Sequence, residues 1–268
     1  MEITGPTRYD DLNDVLAKFL AGVQEILGES LCGAYLQGSF ALGDADEHSD
    51  VDFIVVTQDE VTEAQAGGLQ AMHERLYGLE SPWAQHLEGS YISKEKLRRV
   101  DPSRAPLLYL DNGATQLERD NHCNTAVVRW TLREHAVVLS GSDPKSLIDP
   151  VTADDLVDDV VVALGEWEEW LGSHTMSRRG LGVLVLTLCR MLQSVAEGRV
   201  TTKREAGEWA LLNLGPEWTT LVHWALDDRP DPWTKVREPA DPGTLEQTLG
   251  LLDYVLSEAR QAAGTRRE

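Results

Sequence analysis

Residues 38–57 read GSFALGDADEHSDVDFIVVT. Val51, Phe53, Ile54, Val55 and Val56 are β-branched or aromatic, and Thr57-Gln58-Asp59 stops the run, which predicts a buried strand over 51–57. Asp50 and Asp52 stand two apart at its start, so a strand would point both carboxylates to one side. Like charges on one face repel, and a fold tolerates that mainly where a cation sits between them. A cation held at that strand end is therefore the first expectation, a surface turn with chance acids the alternative.

The other periodicities put that strand in a mixed domain. Residues 9–28 carry Leu12, Val15, Leu16, Phe19 and Leu20 on one helical stripe closed by Gly28. LCGAYLQ at 31–37 reads as a short strand leading into Gly38-Ser39, and 59–79 return to helical spacing. Residues 84–93 alternate as a third strand, and HAVVLSG at 135–141 forms a further β segment after a helical run around 124–134. Two prolines and a glycine in GSDPKSLIDP (141–150) mark a boundary. Beyond it the pattern is helical over 152–171, 179–198, 202–213, 216–227 and 244–263, with capping boxes expected at Thr202–Glu205 and Thr244–Gln247. The expected fold class is α+β: a mixed-sheet N-terminal domain at 1–145 and an all-α helical bundle at 146–268.

The formal net charge of −21 over 268 residues disfavours nucleic acid as a partner and attracts polycationic small molecules. Cys32, Cys123 and Cys189 lack metal-ligand spacing and are expected as buried thiols. The start, MEITGPTRYD, has no basic n-region or apolar h-region, and the longest apolar stretch, 181–192, is too short to span a bilayer. A cytoplasmic monomer with no membrane partner is expected.

In the opening stretch, Gly38 would let the backbone approach a bound group, and Ser39 adds a hydroxyl at a helix start, an arrangement suited to phosphate. Asp50 and Asp52 would hold Mg²⁺, and Glu88 on the next predicted strand could bring a third carboxylate to the same edge. This ordered set, GSFALGDADEHSDVDF at 38–53, resembles the polymerase-β-like nucleotidyltransferase superfamily, whose motif is Gly-Ser, a spacer, then Asp-x-Asp. In that superfamily the two aspartates bind the metals that hold the nucleoside triphosphate, and a carboxylate on a later strand completes the site. LTLCRMLQSVAEGRVTTKREAGEWAL (186–211), TLREHAVVLSG (131–141) and LIDPVTADDL (147–156) are similar to segments of the aminoglycoside O-adenylyltransferases of the streptomycin/spectinomycin class.

The resemblance implies Mg²⁺-dependent transfer of AMP from ATP to a hydroxyl of an aminoglycoside or aminocyclitol, with pyrophosphate leaving. By that likeness Asp50, Asp52 and Glu88 are the catalytic and metal-binding set, with Glu88 either the general base or a third metal ligand. Gly38, Ser39, Ser49, Arg190 and Lys203 would bind the nucleotide. Lys203 also has a physical argument: a cation in a helix's first turn opposes the macrodipole, and a bound anion relieves that. On the acceptor side the family's tryptophan falls on Trp167, giving Trp167, Glu168 and Glu169 as substrate contacts.

The aspartates that follow that tryptophan in the family are replaced here by EEWLGSHTMSRRGLG at 168–182. A further family tryptophan is replaced by YLDNGATQLERDNH at 109–122. Adenylylation of another small molecule or a protein, and a non-catalytic nucleotide-binding module, are therefore the alternatives. Asp154, Asp155, Asp158, Asp159, Glu166, Glu168 and Glu169 crowd one helix with Trp167 and Trp170. They suit either a polyamine sugar or a solvated face with core tryptophans. His122 and His135 could be catalytic, but core or hydrogen-bonded histidines are the expectation.

Overall fold

The Asp-x-Asp strand lies inside a six-stranded sheet. A computed structural model describes residues 5–171, 176–228 and 238–265, the side chains of Glu169 and Trp170 excepted. The chain divides into two compact units, Met1–Val151 and Thr152–Glu268. In the first, α1 (Asp10–Leu27) precedes β1 (Leu31–Leu36), the short α2 (Gly38–Leu42), β2 (Val51–Thr57) and α3 (Glu63–Tyr77). Then come β3 (Leu87–Ser93), α4 (Lys94–Arg98), β4 (Leu107–Leu110), β5 (Leu117–Asp120), α5 (Ala126–His135) and β6 (Val137–Gly141). The strand order is β5-β4-β3-β2-β1-β6. β2 and β3 are parallel, and every other neighbouring pair is antiparallel.

Both faces of β2 are covered, which is why its sequence is an unbroken apolar run rather than an alternating one. Phe53 and Val55 pack with Leu12, Phe19 and Val23 of α1 and Leu69 of α3. Ile54 and Val56 pack on the opposite face with Ile92, Tyr109, and Val128 and Leu132 of α5. Period-two alternation then assigns Asp52 to the α5 face.

The second unit is helical: α6 (Ala153–Leu171), α7 (Arg178–Glu197), α8 (Lys203–Asn213), α9 (Thr219–Asp228) and α10 (Pro242–Thr265). Its core includes Leu164, Leu184, Val185, Leu188, Leu221, Leu251 and Val255. α7 has the length and mean hydropathy of a membrane span, yet 67% of its apolar window is buried inside the unit, as a core helix requires.

Several local expectations are corrected. The strand expected from residue 84 begins at Leu87, because Pro82 starts a 3-10 turn that buries Trp83 and Ala84. β4 and β5 were not expected. Thr202 caps α8 by accepting from the Glu205 amide, but α10 starts at Pro242 and its cap is Asp241, which accepts from the Thr244 amide and hydroxyl. A reciprocal box forms instead at Thr62 and Gln65 of α3. Cys123 and Cys189 are buried, whereas Cys32 on β1 is only half-buried.

Candidate active site

β2 and β3 run parallel with Asp52 opposite Glu88. In-register neighbours of a sheet lie about 4.8 Å apart and project from one face. Along that face the apolar contacts of Ile54, Val56 and Ile92 give way to these two carboxylates at the strand starts.

Glu88 is buried, at 9% exposure. Its Oε1 accepts from the Tyr109 hydroxyl at 2.8 Å and lies 3.2 Å from His122 Nε2. The His122 ring lies on Tyr109, centroids 5.5 Å apart, with 63% of its side chain open to solvent. The Tyr109 hydroxyl also reaches Asp111 Oδ1 at 3.0 Å, so one proton faces two carboxylates. Burial first, and then the negative charge of Glu88, push the Tyr109 phenol far above its ordinary pKa, so it stays a donor. The hydrogen bond to Glu88 outweighs burial and raises the His122 pKa, with Glu88, Asp52 and Asp120 adding negative potential. Of the two expected states, His122 takes the hydrogen-bonded one, exposed and bonded to Glu88, while His135 is exposed and packs on Trp130.

Gly38 opens α2 with φ +58°, and a Cβ built there would strike Oδ2 of Asp52. The backbone can pass over that carboxylate only without a side chain. Ser39, half-buried, follows on α2. Asp50, one residue before β2, accepts from Asn112 Nδ2 at 2.6 Å, and Asn112 Oδ1 lies 2.9 Å from His86 Nδ1. Ser49 is bonded within its own loop: its Oγ exchanges hydrogen bonds with Asp46, at 2.9 Å from the Asp46 amide and 3.2 Å from Oδ1.

The remaining candidates belong to the helical unit. Arg190 is half-buried on α7, and Lys203 is the first residue of α8, behind the Thr202 cap. Trp167 packs against the helical core, and Glu168 is exposed. The Glu169 side chain lies outside the described residues. The first unit thus brings Gly38, Asp52 and Glu88 together. Tyr109, Asn112 and His86 join the site without having been singled out as its residues, and His122, weighed as a catalytic histidine, joins it as a partner of Glu88.

The loop carrying His122 is anchored through Asn124. Asp101 accepts from the Ser103 amide and hydroxyl, the Ala105 amide and Asn124 Nδ2. Asn124 also accepts, at 2.6 Å, from the fully buried Arg129. Burial pushes the Asp101 carboxyl up, but these hydrogen bonds prevail and bring it down to about 2. A folded-state pKa below the unfolded one adds stability above the ordinary value, and that stability is lost as pH falls through the folded value. Urea midpoints for Asp101→Asn are therefore expected below wild type near neutrality, the gap closing as pH falls from 3.8 to about 2. A gap constant across that range would remove Asp101 as the anchor.

The donor set can be weighed against a metal. Among the described residues no three His, Cys, Asp or Glu side chains form a ready-made metal cluster. Mg²⁺ does not require one: it takes one or two carboxylates, completed by phosphate oxygens and water. Asp50 and Asp52 supply hard oxygen donors of that kind, so the residues present fit a magnesium-bound nucleotide.

Residues 16–101 match the family described as nucleotidyltransferase domain, and residues 146–240 match the aminoglycoside adenylyltransferase C-terminal domain. A spectinomycin 9-adenylyltransferase from Staphylococcus aureus is 27% identical over 213 residues, covering 75% of this chain and 78% of the relative. An aminoglycoside (3'')(9) adenylyltransferase from Klebsiella pneumoniae is 25% identical over 231 residues, covering 78% and 84%. Among solved structures, the spectinomycin adenyltransferase AAD(9) from Enterococcus faecialis, with ATP and spectinomycin, shares the fold at TM-score 0.70 and 16% identity. The match covers 92% of this chain and 98% of that one. The chain thus joins a nucleotidyltransferase domain to an aminoglycoside adenylyltransferase C-terminal domain, and it resembles the aminoglycoside O-adenylyltransferases.

Proposed function

We propose that this protein transfers AMP from magnesium-bound ATP to a hydroxyl of an aminocyclitol or aminoglycoside, and that pyrophosphate leaves. The observation that carries the reading is the register pairing of Asp52 with a buried Glu88 held by Tyr109, beneath the bare backbone of Gly38.

Asp50 and Asp52 hold the magnesium, which when bound neutralises charge on the phosphates. Gly38, Ser39 and Ser49, with Arg190 and Lys203 of the helical unit, bind and orient the triphosphate. Glu88 is the general base: it takes the acceptor hydroxyl's proton as that oxygen bonds to the α-phosphorus and the bond to pyrophosphate breaks. Trp167, Glu168 and Glu169 contact the acceptor. The net charge of −21 raises the local concentration of any polycationic acceptor.

The test is pyrophosphate release with ATP, Mg²⁺ and a panel holding spectinomycin and streptomycin, with mass spectrometry of the drug. Release that depends on one of them, with one AMP added to the drug, is the expected result. MgATP binding without release for any drug moves the acceptor outside this class. Failure to bind MgATP overturns the enzyme reading.

A further inference from the structure

The sharp turn after β4 places an asparagine against Asp50 for no reason the turn itself supplies. The Ala114 amide donates to the Asp111 carbonyl at 3.0 Å, and the positive φ of this turn, +79°, falls on Gly113. That is the type II pattern, which demands glycine at its third position and nothing of the residue before it. Among the described residues the non-glycine with positive φ is Arg104, so Asn112 is not there for a left-handed backbone.

Its side chain is instead bonded at both ends. Asn112 Nδ2 donates to Asp50 Oδ1 at 2.6 Å, short for an amide donor, as a charged acceptor favours. Asn112 Oδ1 accepts from His86 Nδ1 at 2.9 Å, which sets the amide's orientation. Flipped, the amide would aim its carbonyl at the Asp50 carboxylate and its NH₂ at His86. The His86 carbonyl also accepts from the Val51 amide at 2.8 Å, so the histidine is fixed to the residue between the two aspartates.

We infer that Asn112, held by His86, is a positioning residue for Asp50, setting the rotation of its carboxylate for the magnesium of the bound nucleotide. The inference rests on the reading of Asp50 as a magnesium ligand. A carboxylate turns readily about its last bond, and a ligating carboxylate is itself hydrogen-bonded so that its lone pairs face the metal. Asn112 supplies that bond from a rigid turn, and His86 prevents the amide from turning away.

The test measures binding of Mn²⁺ with α,β-methylene-ATP, a non-transferring nucleotide, by electron paramagnetic resonance and calorimetry. Asn112→Ala is expected to weaken the metal-nucleotide complex by about 10- to 100-fold and to leave metal-free nucleotide binding unchanged. His86→Ala is expected to weaken it less, and the double variant to match Asn112→Ala alone, because His86 acts through the asparagine. Asn112→Ser, which retains a donor, is expected to recover part of the loss and serves in its place if Asn112→Ala does not fold. Asp50→Ala separates the levels. If it loses metal and Asn112→Ala binds as wild type, or if the double variant loses the two single effects additively, the positioning role is overturned. If Asp50→Ala also binds as wild type, the magnesium reading falls with it.

Discussion

Glu88→Gln is expected to lower the turnover of AMP transfer by about 10²- to 10⁴-fold, the contribution of a positioned general base, with nucleotide binding near wild type. The amide has the size of the carboxylate, and its oxygen can still accept from Tyr109, so the buried position keeps its packing. What it lacks is a basic lone pair for the acceptor's proton. Steady-state kinetics separate this from the other role open to Glu88. A lost base lowers kcat and kcat/KM together, whereas a lost metal ligand weakens the magnesium-nucleotide complex and raises the magnesium requirement. Full turnover in Glu88→Gln would move the base elsewhere. A loss confined to nucleotide affinity would return Glu88 to the metal set.

The start of this site was legible because β2 is buried on both faces and so reads as a continuous run. The acids at its head then stand out against it. Glu88 was legible because its segment reads as a strand, although Pro82 hid where that strand begins and β3 is buried throughout rather than at alternate positions. The bonds that hold these carboxylates were not. Tyr109 lies on a four-residue strand, and β5, LERD, has no apolar pattern that a two-fold period could reveal. Asn112 and His122 sit in loops, and only the antiparallel return of β4 along β3 brings that segment back to Glu88. Pairing of that kind is a property of register, which local periodicity does not carry. The Asp241 cap was within reach, since an acid directly before a proline at a helix's first position is a start signal in its own right.

Gly38→Ala is expected to damage both stability and catalysis, and Gly43→Ala only stability. The contrast isolates what the Gly-Ser motif does. Both glycines flank α2 with positive φ, +58° and +79°, so alanine at either costs about 1–2 kcal/mol of backbone strain. They differ in surroundings: a Cβ at Gly43 meets nothing within 4 Å, while one at Gly38 strikes the Asp52 carboxylate. To admit it, Asp52 must rotate or β2 must shift beneath α2. A displacement of about 1 Å at a reacting centre can cost about 10²-fold in rate. Urea midpoints should therefore fall for both variants, and pyrophosphate release should collapse for Gly38→Ala alone. Equal activity loss in the two would show that α2 matters only as a folded turn. Full activity in Gly38→Ala would mean that the Asp52 carboxylate need not stay where the bare glycine lets it lie.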